Sequence, residues 1–126
     1  MKKTFKLVPP KSSHFILDLY ECNASILNSP DKVKNILLEA VRAAKVTLID
    51  IKIHKFSPCG VSGIALISES HISIHTWPEA NYASVDIYTC GRNTLPQIAV
   101  DLLIKKLKSK KPTIIKLERG IYAEKI

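Results

Sequence analysis

Three reactive side chains of different chemistry fall within one stretch of the chain, residues 56–91. They are the hydroxyl of Ser70, the imidazole of His75 and the thiol of Cys90. Such a set could form a hydrolase site. However, the G-x-S-x-G pattern of a nucleophile elbow is absent around Ser70, and no carboxylate is obviously placed to orient His75. The residue types alone therefore leave the chemistry open.

Two other interpretations of these residues have to be weighed. His71 and His75 share one face of a predicted strand, so with Cys90 or His54 they could bind zinc, although metal sites usually show a clearer cluster of ligands. Alternatively, Ser70 is an ordinary strand residue, His75 a hydrogen-bonded sheet histidine and Cys90 a small buried side chain. Residue chemistry alone favours this last interpretation, and no metal site is predicted.

Length and composition limit what a site here can be. The chain has 126 residues, of which 46% are hydrophobic and 24% charged, which indicates one globular domain over residues 1–126. No apolar run approaches the ~20 residues of a membrane span, and residues 1–10 lack the apolar region of a signal peptide. The protein is therefore expected to be cytoplasmic, with no membrane partner. Three cysteines without a C-x-x-C pair indicate neither a disulfide framework nor a zinc ribbon.

The net charge of +8 is the feature that suggests nucleic-acid binding. The basic residues gather at the termini and in the run KKLKSKK at residues 105–111. This run lacks the interleaved aromatic residues and glycine-rich signatures of common RNA-binding modules. A lysine run at the end of a helix is usually a solvated face that suits the helix dipole. No nucleic-acid partner is therefore predicted.

The rest of the chain predicts the scaffold. Apolar residues that step by three and one predict two amphipathic helices, whereas apolar density and period-two alternation predict strands. The first helix begins with Ser29 as its cap and Pro30 at its first position, and the second opens at Asn93 or Thr94. Six strands are predicted, at residues 14–22, 47–56, 61–67, 71–77, 82–89 and 113–119.

These elements form hairpins separated by helices. The order predicts an α+β fold, a two-layer α/β sandwich in which an antiparallel sheet carries both helices on one face. The other face is left for a site or a partner subunit. In the second strand, Ile49, Ile51 and Ile53 are expected to share one face. The hairpin of residues 71–89 can bring the His75 and Cys90 regions together.

Four motifs carry a resemblance to a known family. They are FSP-x-GVSG at 56–63, ISESH at 67–71, IHTWPE at 74–79 and D-x-Y-T-C-G at 86–91. In this order they resemble prokaryotic S-adenosylmethionine decarboxylase, the short, single-domain and pyruvoyl-dependent form. Several spaced motifs in the right order are more specific than any one of them. Cys59 occupies a variable place in the first motif.

The resemblance implies a proenzyme that processes itself. The bond between Glu69 and Ser70 is cut by the protein, giving chains of residues 1–69 and 70–126, and the cofactor is a pyruvoyl group derived from Ser70. By position, His75 matches the family's base for the elimination, and Ser62 matches the hydroxyl that assists processing. Cys90 matches the proton donor to the α-carbon after carbon dioxide leaves. A thiol with a reference pKa of about 8.5 is mostly protonated at neutral pH and can fill that role.

The resemblance also implies the substrate and the partner. The pyruvoyl carbonyl condenses with the amine of S-adenosylmethionine and withdraws the electrons that decarboxylation leaves behind. The product is the aminopropyl donor for spermidine synthesis. Phe56 and Trp77 match the rings that sandwich the adenine, and Glu79 matches a carboxylate that accepts hydrogen bonds from the ribose. In the family these groups come from two protomers, so a homodimer is implied.

Two alternatives stay open. A pyruvoyl-dependent arginine or ornithine decarboxylase of the same fold would keep the reactive residues, although the intact set of Phe56, Trp77 and Glu79 argues against it. The second alternative is an unprocessed homologue that acts as a binding or regulatory subunit.

Overall fold

The computed structural model describes residues 9–91 and 93–120, and within them one six-stranded sheet forms the framework. The strand order across the sheet is β2-β3-β4-β5-β1-β6, and every neighbouring pair is antiparallel. The strands are β1 (Ser12–Tyr20), β2 (Thr47–Lys55), β3 (Val61–Ser68), β4 (Ser70–Trp77), β5 (Tyr82–Cys90) and β6 (Lys111–Arg119).

Helices cover one face of this sheet. Within the same two ranges there are three α-helices: α1 (Ala24–Leu27), α2 (Pro30–Ala43) and α3 (Pro96–Lys106). α2 packs on β2, β3 and β4, whereas α3 packs on β1 and β5 and against α2. None of these helices has both the length and the apolarity needed to cross a membrane. The predicted two-layer α+β sandwich, with both long helices on one face, is confirmed.

The start of α2 follows the sequence pattern closely. The side chain of Ser29 accepts a hydrogen bond of 3.2 Å from the backbone N–H of Lys32, and Pro30 takes the first helical position. Asp31 lies in the first turn, where its negative charge suits the helix dipole. Local chemistry is therefore sufficient to begin this helix.

Alternation along the strands gives the sheet a buried face and an open face. Side chains that point toward the helices are fully buried, as Leu17, Ile72 and Val85 are, and each contributes about 1.5–3 kcal/mol through burial. The open face instead carries large apolar side chains that are about half exposed, among them Ile64, Leu66, Ile115 and Leu117. An exposed apolar face of this kind is typical of a surface that binds a ligand or another protein chain.

The prediction for the second strand is wrong at Ile49. A β-bulge between Leu48 and Asp50 interrupts the pairing of β2 with β3, so Ile49 does not share a face with Ile51 and Ile53. Its side chain is 60% exposed as a result.

The predicted start of the second long helix is also wrong. α3 begins at Pro96, with Leu95 and not Asn93 or Thr94 at the cap position. The backbone N–H of Leu95 donates a hydrogen bond of 2.7 Å to the C=O of Ala44 at the end of α2. Pro96 prefers the first helical position and keeps residue 95 out of the helical region, and the contact with Ala44 reinforces this start. The Thr94 hydroxyl bonds within the preceding loop.

Gly63 of β3 lies where α2 packs on the sheet. A Cβ atom at this position would lie 2.8 Å from Ile53 Cδ1 and 2.9 Å from Leu37 Cδ1. Both distances are shorter than van der Waals contact. A larger residue must therefore displace the two neighbouring side chains.

We expect Gly63→Val to lower the free energy of unfolding by about 1–3 kcal/mol, because added methyl groups overpack this contact. Chemical denaturation followed by circular dichroism measures the change. As a control, Lys34→Ala on the exposed side of α2 should shift stability by no more than about 0.5 kcal/mol. An unchanged unfolding midpoint for Gly63→Val would contradict the close approach of helix and sheet.

Candidate functional site

Ser62 and His75 form a polar pair on the open face. Pairing of β3 with β4 places the two residues directly opposite each other, and Ser62 Oγ lies 2.8 Å from His75 Nδ1. Because Nδ1 is engaged, Nε2 is the ring nitrogen left to take or give a proton. The two residues that the resemblance assigns to processing are therefore in direct contact.

A cavity of about 570 Å³ opens over this pair. Its lining adds Lys52, His54 and Ser73, which the sequence analysis did not select as site residues. His54 pairs with Ser62 in the β2–β3 ladder, so His54, Ser62 and His75 form one row across three strands. The sequence patterns indicate His54 only as a possible zinc ligand. Its position on the polar face of an alternating strand was the signal for a role at the site.

Phe56, Trp77 and Glu79 lie at the same end of the sheet as His75. Trp77 is two residues beyond His75 on β4, and their ring centroids are 6.5 Å apart. Phe56 directly follows β2, and its ring meets that of His54 edge-on at 4.6 Å. Glu79 lies in the short 3-10 helix that follows β4. The Phe56 and Trp77 rings are 46% and 43% exposed, so both are accessible to a ligand or a partner.

Neighbouring rings support Trp77. Tyr82 stacks on Trp77 with a centroid separation of 5.3 Å, and Tyr20 stacks on Tyr82 at 5.2 Å. The Tyr82 hydroxyl donates a hydrogen bond to Asp18 Oδ1. Burial, together with this hydrogen bond and the negative charge of Asp18, raises the pKa of Tyr82 to about 12. Tyr82 is therefore neutral at physiological pH, and its ring stacks on Trp77 in the uncharged form.

The buried hydroxyl of Thr76 ties together the segments that carry this end of the site. Thr76 Oγ1 accepts a hydrogen bond of 2.8 Å from the backbone N–H of Val61 and donates one of 2.8 Å to the C=O of Leu27. Thr76 stands between His75 and Trp77 in sequence and faces the helix layer, where it is 6% exposed. One side chain therefore links β3, β4 and α1 beneath the two site residues.

Ser70 at the start of β4 and Cys90 at the end of β5 lie together at the opposite end of these two strands. Ser70 follows a two-residue turn that ends at Glu69, and it has a φ angle of +107°. This region is unfavourable for a residue with a Cβ atom, so the backbone is strained at the predicted cleavage position. Ser70 pairs with Thr89, and the half-buried free thiol of Cys90 follows directly. The predicted cleavage site and the predicted proton donor are thus neighbours.

The two ends of the site do not meet within one chain. His75 is five positions beyond Ser70 on β4, a separation of roughly 16 Å at about 3.3 Å per residue. His75 pairs with Ser84, far from the Thr89–Cys90 end of β5. The expectation that the hairpin brings the His75 and Cys90 regions together is therefore wrong for a single chain, because an antiparallel ladder keeps its two ends apart.

The histidines considered as zinc ligands have other contacts. His71 meets the ring of Tyr88 edge-on at 5.9 Å, and His75 is bonded to Ser62. In the part of the chain that the structure describes, no three potential metal ligands come together.

Thr76→Val should lower the free energy of unfolding by about 1–3 kcal/mol, because it leaves buried backbone groups of Val61 and Leu27 without a partner. Thr76→Ser keeps the hydroxyl and should recover most of that loss. Denaturant titration of both variants provides the measurement. Equal stability of the valine and serine variants would show that the hydroxyl does not link these segments.

Known proteins are similar in sequence to this chain over most of its length. Residues 13–120 match the sequence profile of the family described as S-adenosylmethionine decarboxylase. The chain is 42% identical over 113 residues to the S-adenosylmethionine decarboxylase proenzyme of Thermodesulfovibrio yellowstonii, covering 90% of this chain and 84% of that protein. It is 45% identical over 108 residues to the proenzyme of Methanococcus maripaludis, covering 86% of this chain and 88% of that protein.

A solved structure shares the fold. The crystal structure of the adenosylmethionine decarboxylase from Aquifex aeolicus matches with a TM-score of 0.85 and 36% sequence identity, over 94% of this chain and 98% of that one. Sequence and fold thus agree over nearly the whole chain, and the resemblance carried by the four motifs is confirmed. The chain belongs to the S-adenosylmethionine decarboxylase family.

Proposed function

We propose that this protein is a self-processing S-adenosylmethionine decarboxylase whose pyruvoyl group is made from Ser70. Membership of the family supports the reaction. The observation that carries the assignment of residues is the 2.8 Å contact between Ser62 and His75, on an open sheet face beside the exposed rings of Phe56 and Trp77. A proton-transfer group next to aromatic surface suits the processing chemistry and an adenosine-bearing substrate.

In the proposed processing reaction, Ser70 is the nucleophile. Its hydroxyl attacks the carbonyl carbon of Glu69, the peptide C–N bond breaks, and an ester with a free amino group forms. His75 then removes the α-proton of Ser70, and the carboxylate of Glu69 leaves. The dehydroalanine that remains is hydrolysed to the pyruvoyl group with release of ammonia. Strain at the φ angle of Ser70 favours the first step because breaking the peptide bond relieves it.

Ser62 acts through His75 in this scheme. In the tautomer that serves as the base, the Nδ1–H of His75 donates to Ser62 Oγ, which fixes the plane of the imidazole and leaves Nε2 free to accept the α-proton. The imidazole of His75 is therefore already oriented for proton transfer from Ser70 and does not have to change its rotamer.

Each complete site in this proposal is built from two protomers. Ser70 and Cys90 lie at one end of the sheet and His75 at the other, so a second copy is needed to bring them together. A twofold axis through the centre of the open face places the Ser70 end of one protomer over the His75 end of its partner. The half-exposed apolar side chains of that face supply surface for such a dimer to bury.

The pyruvoyl group, once formed, supplies an electron sink for the pair that decarboxylation leaves on the α-carbon. The side chains of this protein bind the substrate and protonate its α-carbon. Phe56 and Trp77 enclose the adenine and present aromatic faces that favour the sulfonium charge. Glu79 accepts hydrogen bonds from the ribose hydroxyls, and the thiol of Cys90 returns a proton to the α-carbon. The product is an aminopropyl donor for spermidine synthesis. We place the protein itself in the cytoplasm.

The alternatives differ in substrate or in processing. The relatives found are named as S-adenosylmethionine decarboxylases, and the paired rings of Phe56 and Trp77 suit an adenine better than the linear side chains of arginine or ornithine. An unprocessed regulatory homologue would keep its chain intact.

Intact-mass measurement under denaturing conditions tests the processing. The wild-type protein should give two species, residues 1–69 and residues 70–126, and the second should have a blocked amino terminus. Ser70→Ala should stay a single chain because it lacks the attacking hydroxyl. Hydroxylamine should cleave any ester that accumulates, giving residues 1–69 and a fragment of residues 70–126 that begins with Ser70 and has a free amino group. Wild-type protein that stays uncut through long incubation would favour the regulatory homologue.

Co-expression of two inactive variants tests the shared site. His75→Ala and Cys90→Ala should each be inactive alone, whereas a mixed dimer has one site with an intact Ser70 end and an intact His75 end. Random pairing should therefore restore about a quarter of wild-type decarboxylation, since about half the dimers are mixed and each has one good site of two. Ser70→Ala with Cys90→Ala is the matched control. Both of its lesions fall at the same end, so it should stay inactive.

Carbon dioxide release from purified co-expressed protein measures the outcome. Recovery with the first pair but not the control supports sites shared between protomers. No recovery with either pair would mean that each chain completes its own site.

A further inference from the structure

We propose that Cys59 is a positioning residue for the nucleoside end of the site, and that its thiol orients the carboxylate of Glu79 toward the ribose hydroxyls. This inference rests on the proposed function, because it takes S-adenosylmethionine as the substrate. The contact that suggests it is the donation of the Cys59 thiol to Glu79 Oε1 at 3.7 Å.

The backbone of Cys59 is held in one conformation. Its turn closes through a hydrogen bond of 2.8 Å from the N–H of Phe56 to the C=O of Gly60. The N–H of Gly60 donates to Asn28 Oδ1 at 2.9 Å, which anchors the turn to the end of α1. Gly60 has a φ of +107°, and a Cβ atom there would lie 3.2 Å from the carbonyl oxygen of Thr76. The thiol of Cys59 therefore projects from a turn whose backbone is fixed by hydrogen bonds.

Glu79 has a fixed backbone and an exposed side chain. Pro78 before it is buried, and the N–H of Asn81 donates to the C=O of Pro78 at 3.1 Å. Within residues 9–91 and 93–120, the contact with Cys59 is the one hydrogen bond of the Glu79 carboxylate, and no ion pair involves it. An exposed glutamate otherwise samples several rotamers, so a fixed neighbouring donor selects one of them.

A thiol suits this task because it is a weak and uncharged donor. A carboxylate has about four lone-pair sites, and one S–H group occupies one of them. The remaining sites stay free for the two ribose hydroxyls. A lysine or arginine in the same place would form an ion pair that competes with the ribose. Cys59 therefore orients Glu79 without neutralising it.

Steady-state kinetics of the processed enzyme tests the inference with Cys59→Ala, Cys59→Ser and a double-mutant cycle with Glu79→Ala. Cys59→Ala should raise the KM for S-adenosylmethionine about two- to threefold, the low end of what one hydrogen bond controls, because the thiol is a weak donor in an exposed contact. The kcat should change by less than about twofold, since the pyruvoyl end is untouched. Cys59→Ser keeps a donor and should restore the KM.

In the Glu79→Ala background, Cys59→Ala should have no further effect, because the acceptor is already gone. A structural role for Cys59 would instead persist in that background and would not be rescued by serine. An unchanged KM for Cys59→Ala, or fully additive effects in the cycle, would overturn the inference.

A binding measurement separates this inference from the proposed function. Calorimetric titration with 5′-methylthioadenosine, and with its 2′,3′-dideoxy analogue, measures the affinity of the nucleoside end of the site. It does not depend on decarboxylation. Cys59→Ala should weaken binding of the first about two- to threefold and leave binding of the second unchanged. Equal affinity of wild type and Cys59→Ala for both compounds overturns the positioning role alone. A wild-type protein that binds neither compound overturns the proposed substrate, and the positioning role with it.

Discussion

The register of β4 between its two neighbours is the constraint on which the candidate site depends. Fixing Ser62 opposite His75 also fixes Ser70 at the far end of the strand and the tight turn at its start. A slip of one residue would turn His75 and Trp77 toward the helices and their buried neighbours toward the open face. The Thr76 hydroxyl opposes such a slip, because its two backbone partners are available only in this register.

Much of the fold could be predicted because local patterns reflect local physics. Ser29 and Pro30 begin α2 through groups within three residues of each other, and alternation assigns most strand residues to the correct face. The two errors in the fold have different causes. Ile49 looks like the other isoleucines of its strand, and only the unequal pairing with β3 creates a bulge there. The start of α3 has a local signal that the sequence prediction passed over: Pro96 takes the first helical position, as Pro30 does in α2, and it keeps residue 95 out of the helical region.

The candidate site could be predicted in composition but not in arrangement. Four motifs identified its residues through resemblance, and the contact between Ser62 and His75 agrees with that grouping. Thr76 could not be selected, because its partners lie 15 and 49 residues away in the chain. The short sequence distance between Ser70 and His75 suggests proximity, yet an extended strand converts it into separation. A sequence of one chain also does not show which groups a second copy supplies.

The strand order determines how the two halves hold together after the proposed cleavage. Residues 1–69 contribute β1, β2 and β3, and residues 70–126 contribute β4, β5 and β6. In the sheet, β1 of the first half lies between β5 and β6 of the second. The fragments are therefore interlaced, and neither has a continuous sheet of its own. The uncut chain acts as its own assembly template, so folding has to precede the cut, and the mature protein cannot be expected to reassemble readily from its separated pieces.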